Sequence, residues 1–429
     1  IYASFLHAYG IDLFEQHGKL HWKKFLQLLQ HLDDKSKFKE VVNIRKMPMP
    51  KPDKYNTEYR KQIAVMKRIY ALDQPDKQEI LGDFENGQLA AKVHLLPFTV
   101  FIHEQEWEMG GVAGVATWPE HRRKRKVAKL LTKSLERMRE SGKSISFLHP
   151  FQVNFYRRFG WELFASYKKL IIENKQLVPL PEAAGRMERA SLQNVDLLNS
   201  VYEGYIRSYN GGLKRDHFWW EHFVFAKAKH AVLYIDKDHQ TAGYLLYDMQ
   251  NRQMHVKEMV ALHEEAKRGL WNFICQHDSM ADQVTIVTAV DDPLPYLLKE
   301  PRIVQEIHPY FMARIVDLER FLQAYPFVKQ ENPLFWHVHD EVAPWNSAIY
   351  QLDEKGVKVF RKTTKEESTC LHPPKRGLLL DINTAAALLL GYVRPWSLYQ
   401  MGKLKGTEAE VKQLEAMISP KPTFFADFF

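Results

Sequence analysis

Residues 110–164 read GGVAGVATWPEHRRKRKVAKLLTKSLERMRESGKSISFLHPFQVNFYRRFGWELF, and the fold turns on them. Met109–Trp118 is short, apolar and studded with glycine, the make-up of a buried strand. Beyond Pro119, the apolar residues Val127, Leu130, Leu131, Leu135 and Met138 recur at helical spacing. The helix is therefore expected to open on the basic run His121–Lys126. Fixed cations oppose the helix dipole at that end, so a chain that gathers them beside free backbone N–H groups is set up for a phosphate. On charge alone the run reads first as a solvated basic face or a nucleic-acid patch. Its position between this strand and Tyr156-Arg157-Arg158-Phe159-Gly160-Trp161 favours the phosphate.

The rest of the composition sets bounds. At 429 residues the chain has room for two to four domains, and its 45% hydrophobic and 26% charged content is that of an ordinary globular protein. No apolar run reaches the roughly 18 residues that span a bilayer, and the opening IYASFLHAYG has no basic n-region or cleavage motif. A membrane partner is not expected. Cys275 and Cys370 lack metal-type spacing and point to free thiols in a reducing, cytoplasmic setting. The net charge of +8 is concentrated early: residues 1–75 carry 14 Lys and Arg against 8 Asp and Glu, and the remaining 354 carry 46 against 44. The nearly balanced remainder argues against a general nucleic-acid-binding role.

Along the chain, Trp22, Phe25, Leu29 and Leu32 give a first helical stripe, and MPMPKPDK (47–54) is a proline-broken linker. From Glu79 the pattern turns to strands, with turns at Glu85-Asn86-Gly87 and His103–Glu106. Ser144–Leu148 reads as a strand, Gln152–Arg158 as a helical turn and Trp161–Ile172 as a strand pair. After a linker at 173–188, helices at Leu192–Tyr209 and Phe218–Phe225 precede strands at Ala231–Ile235, Thr241–Asp248 and Met254–Ala261, then a helix near Ala266–Cys275. The last unit alternates like antiparallel strands with a turn at Glu354-Lys355-Gly356, and DINTAAALLLGY (381–392) is a helix capped by Asp381 or Asn383. His337, His339 and Asp340 suggest a metal triad, but i and i+2 on a strand share a face without completing a site, so no metal is expected.

The order strand, Arg-Arg-rich turn, helix, short strand, Tyr-x-Arg-Phe-Gly-Trp resembles the coenzyme A core of the GNAT acetyltransferases. It is most similar to the Eis-like (enhanced intracellular survival) N-acetyltransferases, over about residues 76–429. The resemblance implies an α/β (α+β) fold: a GNAT domain at 76–175, a degenerate second GNAT domain at 188–320 and a sterol-carrier-like domain at 322–429. Residues 1–74 instead resemble small phage tail and head–tail proteins, either a fusion that replaced the acetyltransferase start or a divergent native one. The resemblance further implies acetyl-CoA as cosubstrate, an amine-bearing small molecule or lysine as acceptor, and a homo-oligomer, a hexamer in the family. Two readings from other classes stand beside it: a non-catalytic assembly protein carried by the N-terminal helices, and a lipid carrier built on the last domain.

Residue by residue, the resemblance puts the pantetheine on Val115, Ala116 and Thr117. It puts the pyrophosphate on Arg122, Arg123, Lys124, Arg125, Lys126, Val127 and Ala128. Phe151 and Gln152 are expected near the coenzyme. Arg125 stands where the family has glycine, and so either weakens the cradle or adds a side-chain contact. No Arg-rich turn follows the central strand of the second domain, so no second coenzyme site is expected. Acetyl transfer from a thioester needs an acid for the departing thiolate and a base for the amine. A phenol, which in water titrates at about pH 10, suits the first task, and the resemblance gives it to Tyr156. It gives the second to the main-chain carboxylate of Phe429, with Asp427 as another candidate; the aromatic tail FFADFF reads equally well as packing for stability.

Overall fold

A computed structural model describes residues 78–361 and 376–429. The helical segment expected at 1–74 and Cys370 lie outside the described residues. Two units divide the chain, one of residues up to 94 with 115–130, the other of 95–114 with 131–429.

In the first unit, β1 (Glu79–Glu85) turns through Asn86 and Gly87 into the start of β2 (Gln88–Ile102). Both turn residues have positive φ, 52° and 75°, as a tight turn between twisted strands requires. The end of β3 (Gln105–Thr117) is tied back to β2: the Thr117 hydroxyl and the Trp118 N–H both donate to the Ala90 carbonyl, at 3.2 and 3.1 Å. One turn of 3-10 helix, Pro119–His121, follows. The long helix α1 (Lys126–Glu140) begins only at Lys126. The expected cationic first turn is thus a loop that precedes the helix. Arg123 and Arg125 stand at φ 64° and 57°, which no right-handed helix accommodates.

In the second unit the sheet order is β2-β3-β4-β11-β5-β10-β9-β8-β7-β6. Its strands include β4 (Ile145–Leu148), β5 (Glu162–Glu173), β6 (Arg186–Ala190), β7 (His230–Ile235), β8 (Thr241–Gln250), β9 (Gln253–Ala261), β10 (Gln283–Ala289) and β11 (Val304–Ile315). Trp161–Ile172, expected as a strand pair, is the single strand β5. Its neighbours come from far along the chain: β11 lies between β4 and β5, antiparallel to both, and β10 pairs with the other edge of β5. The two GNAT-like stretches therefore share one sheet.

Apolar side chains from both faces of this sheet are buried. One face carries α3 (Val195–Ile206), whose Leu198, Val201, Tyr202 and Ile206 join a core with Phe147, Phe164 and Phe311. The other carries α4 (Glu264–Cys275), through Leu270, Trp271, Ile274 and the buried Cys275. A second sheet, β14-β13-β12-β15, is formed by β12 (Leu334–His339), β13 (Ala348–Asp353), β14 (Gly356–Phe360) and β15 (Leu378–Asp381). The turn at Glu354-Lys355-Gly356 joins β13 to β14, and Asp381 caps the helix Ile382–Leu389 by accepting from Thr384 N at 2.7 Å. Asp340, from the suspected metal triad, is committed elsewhere. It accepts two bonds from the fully buried Arg314 of β11, at 2.7 and 2.9 Å, and others from Val342 N, Ala343 N and Asn346. The Arg314 guanidinium is paired through its two terminal nitrogens while its buried Nε has no partner among the described residues; removing either member of such a buried pair costs about 3–5 kcal/mol.

Candidate active site

In the first unit the loop before α1 offers backbone donors and cations together. The Lys129 N–H to Arg125 carbonyl bond (3.0 Å) is the first of the helix, so the N–H groups of Lys126, Val127 and Ala128 have no helical acceptor. Arg122, Arg123 and Arg125 are exposed and form no ion pair among the described residues. Lys126 differs: its ammonium is clamped by Asp83 (2.6 Å) and Glu85 (3.0 Å) of β1. Glu85 also takes Lys124 (3.4 Å), and the His121 Nδ1 lies 3.1 Å from that carboxylate without a hydrogen bond. The two lysines anchor the loop to β1, and three arginines are left facing solvent. Val115 and Thr117 are half-buried and Ala116 is exposed. The loop's donors and arginines fit a pyrophosphate.

In the second unit, β3 and β4 run parallel for three pairs, Met109–Ile145 to Gly111–Phe147, and β3 then continues without β4. Two glycines make this stretch possible. A Cβ on Gly110 would fall 2.2 Å from Met138 Sδ of α1, and one on Gly111 would fall 2.7 and 2.8 Å from the rings of Phe98 and Phe429. Gly111 thus lets the last ring of the chain lie directly on the strand backbone. Phe429 packs against Phe98 (4.7 Å) and Phe311 (5.2 Å), and Phe98 meets the edge of Trp219 (5.4 Å), which stacks on Phe223 (3.8 Å).

Asp427 fixes the tail. Its carboxylate accepts from Arg215 Nε (3.0 Å) and Trp219 Nε1 (2.7 Å), and its carbonyl accepts from Tyr310 (2.9 Å). Burial works against the charge of Arg215, but Asp427 and Glu258 outweigh it and hold its pKa well above the ordinary value. Asp427, considered as a base, is therefore an anchor with its oxygens already occupied.

Tyr156 lies in the short helix α2 (Val153–Arg157) that follows β4. Its ring is 2% exposed, among Phe151 (5.3 Å), Phe155 (5.1 Å) and Trp161 (6.4 Å). Burial pushes the phenol up to about 12, and the hydroxyl forms no hydrogen bond with any described residue. It is a protonated donor with its proton uncommitted. Asn383 secures the turn by donating to the carbonyls of Arg157 and Trp161, both at 3.0 Å. Phe151 and Gln152 lead into α2 and are exposed. The His149 ring, between Phe428 (5.1 Å) and Tyr310 (5.4 Å), has its pKa lowered by burial and is neutral at neutral pH.

Comparison with known proteins fits this geometry. Residues 34–164 and 211–315 each match a family described as an acetyltransferase (GNAT) domain, and residues 318–426 match a sterol carrier protein domain. The chain is a tandem GNAT acyltransferase. An N-acetyltransferase of Streptomyces griseus is 24% identical over 285 residues, 58% of this chain and 67% of that one. N-acetyltransferase Eis of Mycobacterium tuberculosis is 25% identical over 214 residues, 46% of this chain and 51% of that enzyme, so the match spans about half its length. A crystal structure of a conserved protein from Enterococcus faecalis superposes with a TM-score of 0.77 at 23% identity, covering 91% of this chain and 96% of that one. The first GNAT match begins at residue 34, inside the stretch read from sequence as phage-like.

GNAT domains imply use of acetyl-CoA. Within this acyltransferase, the residues that sequence reasoning missed are Phe98, Gly111, Arg215 and Trp219. Only the glycine pair of Gly110-Gly111 in a strand carried a local signal, that of a close backbone approach. The others matter through contacts more than a hundred residues away.

Proposed function

We propose that the chain transfers acetyl from acetyl-CoA to primary amines of aminoglycoside-like polycations or of lysine side chains. The observation that carries this reading is Tyr156, a buried phenol held protonated with no acceptor for its proton among the described residues. The coenzyme supplies an activated acetyl thioester. Arg122, Arg123 and Arg125, with the free amides of Lys126–Ala128, take the pyrophosphate, and the backbone of Val115–Thr117 takes the pantetheine. The amine nitrogen forms the new bond to the acetyl carbon as the carbon–sulfur bond breaks. The main-chain carboxylate of Phe429 accepts the amine proton, and Tyr156 gives its own to the departing sulfur. The rings of Phe98, Trp219 and Phe429 offer an ammonium-bearing acceptor aromatic surface.

Thiol release in the presence of acetyl-CoA with kanamycin or a lysine peptide tests the reading. Turnover with either acceptor is expected; no release with any amine, from protein whose melting temperature acetyl-CoA does not raise, overturns it. One alanine added after Phe429 should lower turnover about tenfold or more if that carboxylate is the base.

A further inference from the structure

The second GNAT half repeats the strand arrangement of the first and ends differently. Strands β9 and β10 run parallel from Gln253–Gln283 to Val256–Ile286. The residues that follow, Lys257–Val260 on β9 and Val287–Thr288 on β10, line a cavity of about 230 Å3. Its other walls are the phenols of Tyr167, Tyr202, Tyr205 and Tyr310 and the tail segment Phe424–Ala426. A second coenzyme is not the occupant this cavity suits. The helix that follows β9, α4, begins with Glu264 and Glu265 and is capped by the His263 ring, so the end that would meet a pyrophosphate carries acids.

The walls define another ligand. Tyr202 spends its proton on the Leu213 carbonyl (2.8 Å), Tyr310 on the Asp427 carbonyl (2.9 Å) and Tyr205 on the Tyr209 hydroxyl (3.2 Å). Each phenol thus presents lone pairs and a ring face, and no proton. Thr288, 5% exposed, and Tyr167 have hydroxyls without a hydrogen bond among the described residues. Behind this wall, the fully buried Arg215 is shared between Glu258 (3.0 Å) and Asp427 (3.0 Å), two carboxylates for one guanidinium. The triad has a formal net charge of −1, with Arg215 and Asp427 buried and Glu258 partly exposed. Acceptor oxygens, aromatic faces and this formal negative excess together call for a compact donor with a positive charge. Lys257, exposed at the wall, is the cation among the lining side chains and works against that ligand.

We propose that this cavity is a binding site for a small organic ammonium ion, carried by the second GNAT half and independent of bound coenzyme. The ammonium donates to Thr288 Oγ1 and to the phenol oxygens, and its organic part lies against the rings and Val287.

Calorimetric titration of the full chain with benzylammonium, benzyl alcohol and benzoate, which share one ring and differ in charge, is the test. Benzylammonium should give a saturable heat without acetyl-CoA, about tenfold tighter than benzyl alcohol, and benzoate should give none. Thr288→Val should weaken benzylammonium about fivefold, and Lys257→Met should tighten it about threefold. Tyr296→Phe, an exposed phenol outside the cavity lining, should leave it unchanged. Equal affinity for the three probes overturns the proposal, as does the absence of heat at millimolar benzylammonium in protein that melts cooperatively. Binding lost in Phe98→Ala and kept in Thr288→Val also overturns it, because the amine then sits beside Phe429.

Discussion

The two GNAT halves of this chain begin alike and part at the turn after the central strand. In both, a parallel strand pair holds for a few residues and then opens, at Gly111 in the first and at Val256 in the second. In both, a short helix follows the next strand, and each contains a tyrosine. Tyr156 is 2% exposed in its aromatic surround, and Tyr296 is 89% exposed. The first half precedes its helix with three arginines that pair with no described residue; the second opens its helix with two glutamates. A shared strand plan thus leaves chemistry undetermined, and on the proposed reading the burial of one phenol and the sign of charge on one turn decide it. Replacing each phenol in turn is the strongest test. Tyr156→Phe should lower kcat about 100-fold or more while leaving acetyl-CoA binding intact, and Tyr296→Phe should leave both unchanged. Equal losses in the two variants, measured by thiol release and calorimetry, would dissolve the distinction.

Protonation sharpens the same contrast. Burial raises the Tyr156 phenol to about 12, above the value of about 10 usual for an unfolded or exposed phenol. The acid form therefore persists through pH 10, and turnover should show no alkaline loss from this group until pH approaches 12. The stability linked to its neutral form is complete below pH 10 and is lost as pH rises through 12. An alkaline limb of kcat centred near 10 would place the acid on an exposed phenol instead.

Gly111 belongs to the first half alone; the paired residues of β9 are Gln253, Met254, His255 and Val256. Gly111→Val puts methyl groups where Phe98 and Phe429 now touch the strand. Overpacking of this kind costs about 1–3 kcal/mol, read from urea denaturation. The displaced tail should also become sensitive to carboxypeptidase. Unchanged stability together with a protected tail would mean that the ring on the strand is not what holds the tail.

Much of this was legible in the sequence because it is local. Strand β3, the turns at Asn86-Gly87 and His103-Glu104, α4 and the Asp381 cap each follow from a few neighbouring residues. So does the Tyr156 segment, whose spacing matched a known pattern. The pairing of β5 with β11 was not legible. Two strands separated by most of the second half meet edge to edge, and alternation along Trp161–Ile172 is the same whichever strand lies beside it. Arg215 and Asp427 were opaque for the same reason: 212 residues separate them, and nothing near either announces a buried ion pair. The basic run misled in one respect. Its composition fits a helix start, but left-handed backbone at Arg123 and Arg125 keeps it out of the helix.

That backbone supports the smallest expected effect and separates two roles of one residue. Arg125 holds a φ of 57°, a conformation that costs a residue with a Cβ about 1 kcal/mol or more and that glycine adopts freely. Glycine also gains freedom in the unfolded chain, which offsets part of the gain, so Arg125→Gly should raise stability by less than about 1 kcal/mol. Arg125→Ala keeps the strain and removes the same charge. If the guanidinium contacts the coenzyme phosphates, both variants should bind acetyl-CoA more weakly, with a shallower salt dependence. If the residue serves only as the hinge before α1, Arg125→Gly should bind as well as the parent, and Arg125→Ala should differ from it in melting temperature alone.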